Sequence, residues 1–135
     1  MAKYDAEVLM YRKFMEFAKL LNIYLNHFPR HEKYALSNRI RNSAYEVYEL
    51  IMEGQKRYFK KTTLTNLDIA HERLRMQIYL AYELGYLRFK DGRRVEHSPE
   101  QLEQKRLNAI SEQVDEIGRL IGGWIKKLRD ENKWT

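Results

Sequence analysis

The sequence contains no cysteine, which excludes a disulfide scaffold, a thiolate zinc site and a cysteine nucleophile. Two prolines and six glycines among 135 residues leave too little turn material for a fold of many short strands. No apolar run approaches the roughly 20 residues that span a bilayer. The opening residues, Met1-Ala2-Lys3-Tyr4-Asp5, lack the apolar core of a signal peptide. A cytoplasmic chain with no membrane partner is therefore expected. Acidic residues are the minority charge: 19 Asp and Glu against 25 Lys and Arg leave a formal +6. Aromatic residues are plentiful, at 13% with ten of them Tyr, which is more than a disordered chain carries. The length suits one domain that buries roughly two-thirds of its unfolded surface.

The apolar residues repeat with a helical period. Met10, Phe14, Phe17, Leu21, Tyr24 and Phe28 alternate steps of four and three, so they share one face. Tyr11, Ala18 and Leu25 widen that face. Pro29 stops this first helix near His27 or Phe28, and the short Phe28-Pro29-Arg30 corner forces an antiparallel return. A second helix is expected from about Arg30 to Lys60. Its main stripe is Leu36, Ile40, Ala44, Val47, Ile51 and Tyr58, with Gly54 in the vacant place. Tyr34, Tyr45, Tyr48 and Met52 form a second stripe. Thr62, Thr63 and Thr65 are candidate caps for a third helix whose core face reads Leu67, Ala70, Leu74, Gln77, Ala81 and Leu84. It should end near Gly85 to Leu87, ahead of a polar loop from Arg88 to His97.

Ser98-Pro99-Glu100-Gln101 has the form of a helix start, with Ser as cap, Pro in the first helical position and Gln three residues on. Leu107, Ile110, Val114, Ile117, Ile121, Trp124 and Leu128 then continue the rhythm. Gly118 and Gly122 flank the stripe and leave room for a neighbouring helix. No repeat or domain boundary interrupts the chain. The expected fold is all-α: a single domain over 1–135, an antiparallel up-down-up-down four-helix bundle.

Convergent reactive groups are not legible in this pattern. His27 and His31 stand four apart, but Pro29 lies between them, so they are not a preformed helical metal pair. His71 and Glu72 read as a surface or boundary pair rather than a general base. Gly118-Arg119-Leu120-Ile121-Gly122-Gly123 has no Gly-Lys-Ser/Thr after it and no strand before it, so it is not a phosphate loop. Paired Glu-x-x-His motifs of a di-iron bundle are missing. Glu112 and Glu116 lie near Arg119 at spacings that suit ordinary helix ion pairs. A protein without catalytic residues, metal or cofactor is expected.

What the sequence does hold is clustered positive charge. In an up-down bundle, Arg30 and Lys33 would meet Arg88, Lys90, Arg93 and Arg94 at one end. Lys56, Arg57, Lys60 and Lys61 would meet Lys126, Lys127 and Arg129 at the other. Such clusters bind nucleic acid by releasing counterions from phosphates, although Lys-rich and Arg-rich helices also serve solubility. Tyr45, Tyr48 and Met52 on the second helix, with Met76, Tyr79 and Tyr86 on the third, lie off the core faces. Amphipathic side chains of this kind suit a subunit interface, or simply the edge of a wide core.

Three stretches resemble one family. They are the corner and helix from Phe28-Pro29-Arg30 to Ser37-Asn38-Arg39-Ile40; Glu72-Arg73-Leu74-Arg75 with Leu80-Ala81-Tyr82-Glu83-Leu84-Gly85; and Asp115 to Lys126 with its Gly-Gly-Trp. In order and spacing they are similar to the accessory variability determinant proteins of diversity-generating retroelements. These belong to a superfamily that includes four-helix proteins from intervening sequences of ribosomal RNA genes. The resemblance implies a homopentameric barrel of bundles without a catalytic site. It also implies binding to the retroelement reverse transcriptase and to RNA and DNA, as template RNA or RNA–cDNA hybrid, in support of mutagenic reverse transcription. Five copies at +6 would carry about +30, enough to make polyanion binding expected.

Arg30, Arg39, Arg73, Arg75, Arg119 and Lys126 match basic positions of the family stretches, with Arg73 and Arg119 also placed to pair with Glu72 or Glu116. Two features depart from the family pattern. Ser37 stands where these proteins often have Gly, and the 88–97 loop is long and basic. The candidate contact residues are therefore Arg30, Arg39, Lys56, Arg57, Lys60, Lys61, Arg73, Arg75, Arg93, Arg94, Arg119 and Lys126. The alternatives are a ribosomal RNA intervening-sequence bundle or a helical adaptor, neither with a reverse transcriptase partner.

Overall fold

The computed structural model describes residues 3–92 and 97–135, and among them it holds four α-helices and no strand. These are α1 (Lys3–Asn26), α2 (Leu36–Lys56), α3 (Lys61–Glu83) and α4 (Pro99–Asp130), with one 3-10 turn at Arg30–Glu32. They form a four-helix bundle. The most extensive seam joins α2 to α3, while α4 packs on both α1 and α3, and α1 meets α2 more loosely. The interior is the periodic stripes. Phe17, Ile40, Val47, Ile51, Leu64, Leu67, Ile110, Ile117 and Ile121 are fully buried, each contributing about 1.5–3 kcal/mol.

Local chemistry accounts for the helix boundaries. α1 ends at Asn26, one residue before the expected stop. Pro29 is extended at φ −53°, ψ 142°, and the chain makes one tight turn before α2. The second helix thus starts at Leu36 rather than Arg30, because Ala35 at φ −117°, ψ −105° breaks the run. Tyr34, expected on its second stripe, lies outside the helix and is exposed. Arg41 clamps the corner, donating to Asn22 Oδ1 at 2.5 Å and Asn26 Oδ1 at 2.7 Å.

α2 also ends four residues early, at Lys56. Tyr58 is consequently outside the core stripe and 89% exposed. The threonines do not cap α3. Lys60 holds the cap position without a capping bond from its side chain to α3, Thr63 is buried, and Thr65 Oγ1 donates back to the Lys61 carbonyl. From Leu74 the α3 stripe steps by four to Ile78, so Gln77 is only partly buried and Leu84 is half-exposed. The α4 start matches expectation: Ser98 and Gln101 form a reciprocal capping box with Pro99 in the first turn.

Two glycines permit close packing. A Cβ on Gly54 would come within 2.9 Å of the Trp124 ring and 3.0 Å of Leu64. On Gly118 it would come within 2.7 Å of the His71 ring. His71 is therefore not a surface or boundary residue. It is buried on Gly118, with Nε2 2.7 Å from the Val114 carbonyl oxygen. Gly122 has nothing within 4 Å, so only Gly118 of the pair serves the α3–α4 seam.

Candidate nucleic-acid and partner interface

One end of the bundle is built around the α2–α3 turn. The last carbonyls of α2 lack helical donors. Lys60 supplies one, folding back so that Nζ donates to the Gly54 carbonyl at 2.5 Å and the Arg57 carbonyl at 2.6 Å. Arg57 is held by Glu53, 2.8 Å from Oε1. The Lys61 amide donates to the Thr135 carbonyl at 3.2 Å, and Trp124 rests on Gly54. These contacts bring the segment after α4 against the turn.

The end therefore gathers Lys56, Arg57, Lys60, Lys61, Lys126, Lys127, Arg129 and Lys133. Within residues 53–61 and 124–135 these eight cations stand against Glu53, Asp130 and Glu131. Lys56, Lys61, Lys126 and Lys127 are exposed and have no side-chain partner among the described residues. Arg129 lies over the Trp134 ring at 5.0 Å, and Lys133 pairs with Glu131.

At the other end the α1–α2 corner meets the chain after α3, and two arginines there are tied to acids. Arg88 donates to both carboxylate oxygens of Glu103, at 2.9 and 3.0 Å, with Glu100 3.6 Å away. These bonds push its guanidinium above the ordinary arginine value, the Glu103 hydrogen bonds being the main cause. Arg106 is buried. It donates to the Leu87 carbonyl at 2.8 Å and to the Phe89 carbonyl, lies 3.8 Å from the Phe89 ring centre, and pairs with Asp91 at 3.7 Å.

Phe89 in turn stacks on His27 at 4.4 Å. The Tyr86 hydroxyl donates to Glu32 Oε2 at 2.6 Å, which holds the Glu32 carboxyl below its usual range and pushes the Tyr86 phenol up. Arg106 and Glu103 carried a sequence signal that was missed. At positions 103 and 106 they extend the three-four rhythm of Ile110, Val114 and Ile117 backward into the core face.

The remaining candidates fall between these ends. Arg73 does not pair with Glu72 but reaches Glu46 on α2 at 3.2 Å. Arg75 takes Glu72 instead, at 2.8 Å, and its hydrogen bond holds that carboxyl below its usual range. Arg119 pairs with Glu116 at 3.2 Å. Such exposed pairs are worth about 0–1 kcal/mol, but each offsets a charge. Arg30 and Arg39 are exposed without a side-chain partner among the described residues. Arg93 and Arg94 lie outside the described residues.

Of the off-core apolar side chains, Tyr45, Met52, Met76 and Tyr79 are exposed. Tyr48 and Tyr86 are partly buried against their own chain, Tyr48 on Tyr11 and Phe14 and Tyr86 on Phe28. Ser37 is buried with Oγ unbonded. Among the described residues no three His, Asp or Glu converge to hold a metal, and no helix is long and apolar enough to cross a membrane.

A four-helix bundle with basic residues at both ends defines a class of charged, all-helical proteins. Within that class the chain matches the family model described as bAvd-like over residues 8–128 and belongs to that family. The match agrees with the resemblance to accessory variability determinant proteins and associates the chain with diversity-generating retroelements. No curated protein and no solved structure matches it.

Proposed function

We propose that the chain is a non-catalytic accessory protein of a diversity-generating retroelement. It binds the reverse transcriptase and RNA or DNA, as template RNA or RNA–cDNA hybrid, and so supports mutagenic reverse transcription in the cytoplasm. The observation that carries this reading, beside family membership, is the convergence of eight cations at the α2–α3 turn end, four of them exposed without a side-chain partner. Each phosphate met there would release counterions, which makes binding tight at low salt and independent of base identity. Of the other candidate contact residues, Arg30 and Arg39 are exposed without a side-chain partner among the described residues.

The reading takes the helices as an antiparallel up-down-up-down bundle assembled into a homopentamer. The tight corner at Pro29 and the Lys61–Thr135 contact support the first part. The exposed Tyr45, Met52, Met76 and Tyr79 support the second, and light scattering that returns a monomer would remove it. RNA affinity measured against salt tests the binding. The expected result is a steep linear fall of log affinity with log salt, whereas no binding near physiological salt would favour an adaptor whose charge only confers solubility. Co-purification with a retroelement reverse transcriptase tests the partner.

A further inference from the structure

Two aromatic rings stand in the middle of the basic turn. Tyr58 is 89% exposed and Phe59 66% exposed, their ring centres 4.9 Å apart and their planes at 86°. Both α2 and α3 stop short of them, so neither ring joins a helix face or the core. The exposure is fixed by the turn. Lys60 is bonded to the Gly54 and Arg57 carbonyls, the Arg57 amide to the Glu53 carbonyl, and the Lys61 amide to the Thr135 carbonyl. Together these hold residues 58 and 59 outward on a pinned loop. In sequence the rings lie between two cation pairs, Lys56-Arg57 and Lys60-Lys61.

We infer that Tyr58 and Phe59 are a stacking platform for unpaired bases, which makes this end a site for single-stranded nucleic acid rather than for duplex. The inference rests on the nucleic-acid reading above and adds the class of strand. A duplex hides its base faces, so it can use only the cations. A single strand can set phosphates on Lys56 and Lys61 and a base on a ring, and base–aromatic stacking tolerates any sequence. The excess of eight cations over three acids in residues 53–61 and 124–135 favours a polyanion over a neutral protein surface as the occupant.

The test compares a short single-stranded RNA with the same strand annealed to its complement, at one salt concentration, on the parent chain and on Tyr58→Ala/Phe59→Ala. Both rings are exposed, so the variant should keep the parent's helicity and melting. It should lose about ten- to a hundred-fold in affinity for the single strand and little for the duplex, with an unchanged salt slope. Tyr58→Phe, which keeps the ring, should retain the parent's preference.

An unchanged single-strand affinity in the double variant overturns the inference while leaving the wider function standing. So does an equal loss on both probes. Weakened binding to anionic phospholipid vesicles with RNA binding intact would assign the rings to a membrane surface and overturn it likewise. Failure of the parent to bind either RNA would remove the functional reading and the inference together.

Discussion

The two ends of the bundle look alike as strings of Lys and Arg and differ once folded. At the corner end, residues 27–36, 86–92 and 97–106 hold six Lys and Arg against the four acids Glu32, Asp91, Glu100 and Glu103. Two of the six, Arg88 and Arg106, are committed to carboxylates and backbone carbonyls. Four rings there are packed, His27 on Phe89 and Phe28 on Tyr86, while Tyr34 is exposed beside Lys33. At the turn end, residues 53–61 and 124–135 hold eight cations and three acids, and Tyr58 and Phe59 face outward. At the first end Arg88 and Arg106 close the fold, and at the second Lys56, Lys61, Lys126 and Lys127 are exposed without a side-chain partner among the described residues. Proximity of a carboxylate, more than the number of cations, separates a structural arginine from a contact surface.

Breaking the closed end should have the largest effect. Arg106→Ala takes the guanidinium donor from the Leu87 and Phe89 carbonyls and the ion pair from Asp91, and should cost about 3 kcal/mol in urea unfolding. A loss within the range of an exposed pair would mean that the corner end is not held by this residue. At the turn end the vulnerable point is packing rather than charge. Gly54→Ala sets a Cβ 2.9 Å from Trp124 and should cost about 1–3 kcal/mol by the same measurement. Stability equal to the parent's would show that Trp124 does not hold α4 against the turn.

Acid should also distinguish the ends. The Glu32 carboxyl is held below its ordinary value by the Tyr86 hydrogen bond. Its contribution is therefore present above the unfolded value of 4.5 and lost as pH falls through the lower folded one. Glu32→Gln should lower the urea midpoint at neutral pH and reduce its further fall on acidification to about pH 3. Parallel curves for parent and variant would exclude the bond as an acid-sensitive element. The smallest effect is expected at the open rings, where Tyr58→Ala should leave thermal stability within about 0.5 kcal/mol of the parent. A larger loss would mean that the ring is a structural contact.

The fold was legible because Phe14, Ile40, Leu74, Ile117 and their neighbours repeat with helical period, and because Ser98-Pro99 and Pro29 mark boundaries with chemistry of their own. The ends of α2 were not legible. A single Lys60 side chain bonding two carbonyls stops the helix at Lys56, and such a long-armed contact leaves no periodic trace. His71 was misplaced because its neighbour Glu72 is exposed, and only the absent side chain of Gly118, from another helix, shows where the imidazole goes. For the candidate surface, the sequence marked the cations. Which of them a carboxylate would claim depended on contacts such as Arg73 with Glu46 and Arg88 with Glu103, set by helix packing.

The most direct measurement is RNA affinity against salt for two triple variants of equal charge, Lys56→Glu/Lys126→Glu/Lys127→Glu at the turn end and Lys33→Glu/Lys90→Glu/Lys105→Glu at the corner end. If the turn end is the polyanion surface, the first should weaken binding and flatten the slope by about 0.7–0.9 for each phosphate that is no longer neutralised, while the second keeps the parent's slope. Equal flattening by both would reduce the surface to net charge alone, and flattening by the second alone would place it at the wrong end.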